Sequence, residues 1–237
     1  MRLHLATSPM EMSFTEHLEE LRSRLFKMLF AAVVGFVLSY VFIEAIVGFV
    51  TAPAGKLYYM RPAEAFFIYI KLGAFAGCLF ASPIIFYQLW AFVMPAFSAR
   101  QCLWIVGCTL LSLSLFLGGL LFSYYIVFPL GLAFFTGFDA HGVEAMISME
   151  NYVDFFIMLL LPFGFIFELP LVLILLSMTG LITSAGLKKL RPYVVLSSFF
   201  IAALLTPPDV ISQALLALPM LIMYEMSIIF IHYILQK

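Results

Sequence analysis

Long apolar runs separated by short polar segments dominate the chain, and no strict alternation of apolar and polar positions competes with them. Five regions stand out, at 28–50, 65–94, 102–128, 155–178 and 193–234. Each of the first four holds about 20 or more mainly apolar residues, the length a helix needs to cross a hydrocarbon core of about 30 Å. Thr206-Pro207-Pro208-Asp209 divides the last region, because two prolines remove backbone donors and an aspartate can cap the helix that follows. That region reads as a hairpin of two short helices, 193–206 and 210–234. At about 1.5 Å per residue the first piece covers only about 21 Å, which leaves a re-entrant segment open as the alternative. The pattern predicts an all-α, polytopic membrane protein with six transmembrane helices. It has a polar N-terminal tail at 1–27 and a single transmembrane domain at 28–235.

Composition excludes a water-soluble alternative: 65% of the 237 residues are hydrophobic and 11% charged, against roughly 45–50% and 25% in soluble domains. A net charge of -1 gives no global field that would attract nucleic acid. The placement of charge is more informative. With the spans above, Arg2, Arg22, Arg24, Lys27, Arg100, Lys188, Lys189, Arg191 and Lys237 fall on one side, nine of the twelve basic residues. Lys56, Arg61 and Lys71 fall on the other or near it. Basic loops are retained in the cytoplasm, so both termini are expected there. The first apolar run is too long for a cleaved signal, whose core is about 7–15 residues, and Pro53 interrupts the would-be cleavage motif Ala52-Pro53-Ala54. Pro53 is expected to mark a turn instead.

Catalytic chemistry has no candidate constellation. Cys78, Cys102 and Cys108 lack a Cys-x-x-Cys spacing and read as small buried hydrophobes. The four histidines are dispersed, and neither a metalloprotease nor a serine-hydrolase signature occurs. No glycine-rich phosphate loop is present either. The expectation is a protein without metal, cofactor or enzymatic activity. No clear internal repeat is visible, which argues against a transporter built from two related halves.

Polar residues in unusual places carry what functional signal there is. Ser13 and Glu16 form a capping-box pattern, so a helix should start near Phe14. Phe14, Leu18, Leu21 and Leu25 then share one face of an amphipathic helix at the membrane surface. Glu20 on this helix has two readings: an i,i+4 pair with Arg24, or a receptor for a cationic ligand through two parallel hydrogen bonds. Glu168 lies mid-span between Pro162 and Pro170, at a depth where ionisable groups face a bundle interior or a wet cavity. It too has two readings, a protonated acid bonded to a neighbouring helix or a polar dock for a partner. Asp209 reads as a helix cap with Gln213 in the same turn, and Glu225 as a structural or partner-facing residue. Asp139, Glu144, Glu150 and Asp154 form an acidic stretch expected to be a solvated cap on the outer face.

Six ordered motifs resemble those of the TatC family, the large core subunit of the twin-arginine protein translocase. They are His17-Leu18-Glu19-Glu20-Leu21-Arg22-Ser23-Arg24-Leu25, Pro62-Ala63-Glu64-Ala65-Phe66-Phe67, the run from Ser82-Pro83 through Tyr87-Gln88-Leu89-Trp90-Ala91-Phe92-Val93-Met94-Pro95-Ala96, Phe163-Gly164-Phe165-Ile166-Phe167-Glu168-Leu169-Pro170, Arg191-Pro192-Tyr193, and Thr206-Pro207-Pro208-Asp209-Val210-Ile211-Ser212-Gln213. The resemblance covers nearly the whole chain. It implies a core subunit, driven by the proton-motive force, that binds twin-arginine signal peptides of folded cargo at its cytoplasmic face. Glu20, Arg22, Phe92, Pro95, Phe97 and Gln101 would form that surface, and Glu168, Gln213 and Glu225 would serve docking of TatA- and TatB-like single-span proteins. It further implies self-association in the inner, cytoplasmic membrane, and a short true crossing at 193–206. The family normally has a glutamate where this chain has Gln101, a departure expected to weaken docking or to make it draw more on Glu16 and Glu19. The competing expectation is an ion- or proton-coupled small-molecule transporter using Glu168 and Glu225 as a relay.

Overall fold

The structure, a computed structural model, describes residues 14–93, 101–137, 146–205 and 209–234. Apart from one backbone bridge between Tyr58 and Ser148, these residues form helices and their connections. The first helix, α1 (Phe14–Val41), runs 28 residues without interruption from the tail into the first apolar run. It contains no proline, and its one glycine, Gly35, is packed against a neighbour. The break comes at Phe42, so the run at 28–50 is shared between α1 and a short α2 (Ile43–Thr51). A 3-10 turn at Ala52–Ala54, holding Pro53, ends it.

Helix α3 (Glu64–Val93) returns antiparallel to α1, with Arg24 beside Gln88, Gly35 beside Gly77 and Ser39 beside Gly73. The two glycines set how closely the helices cross. A Cβ on Gly35 would lie 2.2 Å from the Gly77 carbonyl oxygen, and one on Gly77 would lie 2.5 Å from Phe36 N. Small residues permit such backbone contact inside membranes, where apolar burial alone does not drive helix association. Buried Ser39 adds a hydrogen bond, donating to Gly73 O at 2.6 Å.

The third apolar run forms one bent rod: α4 (Gln101–Phe122), a π turn at Ser123–Val127, and α5 (Phe128–Thr136). Pro129 lacks an N–H and cannot continue the regular ladder, and the i,i+5 bond from Phe128 N to Ser123 O absorbs the extra residue. The central element is α6 (Met149–Met178), which packs against α3, α4 and α8 and supplies the fully buried Phe156, Leu159 and Phe163. Gly180, at φ 81, turns the chain after it.

The last two helices are α7 (Ser184–Leu205) and α8 (Val210–Ile234), packed together as a hairpin. They are 22 and 25 residues long, so the short first piece expected at 193–206 is only the apolar end of α7. Its helix starts nine residues earlier because Thr183 Oγ1 accepts from Gly186 N at 3.2 Å and Thr183 O from Leu187 N at 2.9 Å. Pro192 sits inside without ending it. Among the described residues, five helical stretches are long and apolar enough to cross a membrane: Thr15–Val41, Glu64–Val93, Ile105–Phe135, Met149–Met178 and Val210–Tyr233. Lys188, Lys189 and Arg191 in its first turns set α7 apart from them. Large apolar side chains such as Phe30, Leu196 and Tyr193 point outward, where lipid rather than water suits them.

Candidate functional site

At the end of the bundle where α1 begins and α3 finishes, His17, Glu20 and Arg24 form one helix face turned toward α3. Glu20 Oε1 accepts from Arg24 Nε at 2.9 Å and from Arg24 Nη2 at 2.5 Å. Arg24 Nη1 also donates to Gln88 Oε1 on α3 at 3.2 Å. The His17 ring stacks on Phe92 with centroids 4.4 Å apart and planes 18° from parallel. Glu20 Oε2 is buried and has no hydrogen-bond partner. The i,i+4 pair therefore exists, yet it leaves a carboxylate oxygen free to accept. The face that packs inward is thus the polar one. Leu18, Leu21 and Leu25 are 48%, 40% and 58% exposed, so the apolar stripe of the N-terminal helix looks outward instead.

The other candidate residues for this surface are placed less completely. Arg22 is exposed on a different side of α1 from Glu20, two residues along. Pro95 and Phe97 lie outside the described residues, as does the side chain of Gln101, which opens α4.

Deeper in the bundle, a chain of hydrogen bonds links three helices. Trp90 Nε1 on α3 donates to Ser112 Oγ on α4 at 2.7 Å, and Ser112 Oγ donates to Glu168 Oε2 on α6 at 2.9 Å. Glu168 is 8% exposed, and its Oε1 is buried without a partner. Close packing of α4 on α6 brings these groups together: a Cβ on Gly119 would lie 2.3 Å from Phe163 O, and one on Gly164 2.4 Å from the Phe116 ring.

Glu225 belongs to a separate contact. Its Oε2 accepts from Arg191 Nη2 on α7 at 2.5 Å, with both side chains nearly half exposed. Glu168 bonds to Ser112 and Glu225 to Arg191, so the structure shows no hydrogen bond joining the two acids into a relay. Gln213 Nε2 donates to Phe199 O at 2.8 Å and ties α8 to α7. Asp209 Oδ1 accepts from Ser212 N at 2.7 Å, an N-cap contact for α8.

Sequence reasoning passed over the joint at the opposite end of α3. Glu64 is buried and accepts four hydrogen bonds: from Met60 N at 2.6 Å, Arg61 N at 3.1 Å, Ser148 Oγ at 2.9 Å and Glu150 N at 2.8 Å. Beside it, Lys71 Nζ pairs with Asp154 Oδ1 at 2.7 Å and Glu150 Oε1 at 3.4 Å. Glu150 and Asp154 are thus anchored to α3 rather than simply solvated, while Asp139 and Glu144 lie outside the described residues. Cys108 is buried but Cys78 is exposed on α3, and among the described residues no cluster of acids, histidines and cysteines could hold a metal.

Comparison with known proteins decides the family. The sequence model described as "TatC: Sec-independent protein translocase protein (TatC)" matches residues 16–219. The chain belongs to the TatC family. Among its relatives, a Sec-independent protein translocase protein TatC from Desulforapulum autotrophicum is 43% identical over 223 residues, covering 91% of this chain and 83% of that one. The TatC of Escherichia coli K12 is 35% identical over 228 residues, covering 93% and 88%. A crystal structure of the twin-arginine translocase receptor TatC matches with a TM-score of 0.83 at 36% identity, over 90% of this chain and 97% of that one. A second, determined in DDM, gives 0.84 at 35% identity over 91% and 99%. As a TatC protein the chain is a multi-pass membrane subunit of a protein translocase, and the family is not enzymatic.

Proposed function

We propose that this TatC protein is the receptor core of a twin-arginine translocase in the inner membrane, crossing it six times with both termini in the cytoplasm. The distribution of basic residues supports that orientation, because the sequence pattern assigns nine of the twelve to the cytoplasmic side. The surface formed by His17, Glu20, Gln88 and Phe92, together with Pro95 and Phe97 further along the chain, receives the twin-arginine signal peptide of a folded cargo protein. One observation carries this reading: buried Glu20 Oε2 has no partner, so a guanidinium that displaces the groups covering it can bond there while Oε1 holds Arg24. Gln88 Oε1 offers a second acceptor at the same end, and the His17–Phe92 stack offers an aromatic surface for planar guanidinium or apolar residues. Glu168, with one buried oxygen still unpaired, is the polar dock for TatA- and TatB-like single-span helices. Transport draws on the proton-motive force through the assembled complex, in which the subunit self-associates.

The test is a twin-arginine peptide carrying a photo-cross-linker next to its arginines, added to the full protein in detergent. Labelling of α1 near Glu20 and of α3 near Phe92, reduced roughly fivefold by Glu20→Gln, is the expected result, since a hydrogen bond to a charged group contributes about 1 kcal/mol more than one to a neutral amide. Labelling confined to α4 and α6 around Glu168 would overturn it.

A further inference from the structure

A groove of about 680 Å³ runs along one side of the α1–α3 pair, lined by α1 between Glu19 and Leu38 and by Phe80, Ala81 and Ile84 of α3. Its floor is made of small residues: Ala31, Gly35 and Ala81 are buried where the helices pack closely. Phe26, Phe30 and Phe80 rise beside that floor and are 64%, 71% and 57% exposed. The α1 residues Phe26, Phe30, Val34 and Leu38 recur every fourth position, giving an apolar strip about 18 Å long parallel to the helix axis. At its polar end stand Arg22 and Lys27, both exposed, with the Ser23 hydroxyl between them and Glu19 as the lone acid. Among the described residues the ion pairs are Arg24–Glu20, Lys71 with Glu150 and Asp154, and Arg191–Glu225, so neither Arg22 nor Lys27 is engaged in one.

From this arrangement we infer that the groove is a binding site for an anionic phospholipid, with its phosphate on Arg22 and Lys27 and one acyl chain along the strip from Phe26 to Leu38. An apolar slot open to the bilayer and headed by two unpaired cations matches an amphiphile with a negative head and a hydrocarbon tail. A twin-arginine segment fits it poorly, because its own cations would meet Arg22 and Lys27. Glu20, which faces α3 on another side of α1, suits that segment instead. The inference does not depend on the signal-peptide reading. It requires only that α1 and α3 lie in a membrane.

The experiment uses the full protein in detergent, titrated with phosphatidylglycerol or phosphatidylcholine and observed by native mass spectrometry. Phosphatidylglycerol should bind at least fivefold more tightly than phosphatidylcholine. Lys27→Gln should erase most of that preference, and Lys27→Arg should keep it. Val34→Trp, which fills the strip from its exposed side, should weaken both lipids alike. Glu20→Gln should leave lipid binding unchanged, which separates failure of this site from failure of the peptide site. Equal affinity for the two lipids, or a preference that survives Lys27→Gln, would overturn the assignment. So would a cross-linker at Val34 that labels a twin-arginine peptide in preference to lipid.

Discussion

Ser112 donates its hydroxyl hydrogen to Glu168 Oε2 at 2.9 Å, and this buried bond joins α4 to α6 while Trp90 holds the same hydroxyl from α3. Ser112→Ala removes both contacts and leaves Glu168 with neither oxygen bonded and Trp90 without an acceptor. Interhelical hydrogen bonds in membranes contribute about 0.6 kcal/mol each, up to about 1.7, so a loss of about 1–3 kcal/mol is expected. Thermal unfolding in detergent measures it, and Ser112→Thr should restore most of the loss by keeping the hydroxyl. If the Glu168 carboxyl is the dock for partner helices, Ser112→Ala should also reduce transport while twin-arginine peptide binding stays intact. Loss of both activities together would point to misfolding.

The α1–α3 crossing should be far less tolerant. Gly77→Val puts a branched side chain where even a Cβ would sit 2.5 Å from Phe36 N, a backbone atom that cannot move aside alone. Overpacking of this kind costs about 1–3 kcal/mol or more. Gly118 on α4 is the control, because no atom lies within 4 Å of its added Cβ. Gly118→Ala should therefore be neutral or stabilise by about 0.5–1 kcal/mol through helix propensity. Comparing the two melting temperatures in one detergent separates helix crossing from glycine content.

How much of this was legible in the sequence follows from the range of each interaction. Apolar length reports crossing helices locally, so the main helices stand out in the linear pattern. The start of α7 does not, because Lys188, Lys189 and Arg191 lower hydropathy without ending a helix that Thr183 has already capped. Glu168 is conspicuous as an acid in an apolar run. Ser112 and Trp90 are ordinary in such runs, and only the packing of α3 and α4 against α6 shows that they hold it. Which face of the tail helix meets α3 is set by similarly distant partners. Leu18, Leu21 and Leu25 make an apolar stripe, but the His17–Phe92 stack and the Arg24–Gln88 bond turn the opposite face inward.

Glu64 was illegible because half of its partners, Ser148 and Glu150, lie more than eighty residues downstream. Glu64→Ala should loosen the joint between α3 and the start of α6. Amide exchange at Arg61 and Glu150, whose N–H groups it accepts, should quicken, as should exchange at Met149, whose N–H bonds Tyr58 O. Hydrogen-exchange mass spectrometry reads these peptides directly. Exchange around Gly35 should be unchanged. Uniform acceleration along the chain would indicate global destabilisation rather than a local joint.

Gln101 opens α4, a few residues after Pro95 and Phe97 in the sequence. Gln101→Glu replaces a neutral acceptor with a charged one, and hydrogen bonds to charged groups contribute about 1.5–3 kcal/mol against about 0.5–1.5 for neutral ones. A difference of about 1 kcal/mol predicts roughly fivefold tighter binding of a twin-arginine peptide, measurable by fluorescence anisotropy in detergent. A twin-lysine peptide should gain less, because an ammonium is a point charge that cannot match both oxygens of a carboxylate in parallel. If both peptides gain equally, position 101 supplies only a general negative field. If neither gains, it lies outside the receptor surface, and the burden of recognition rests on Glu20, Gln88 and the His17–Phe92 stack.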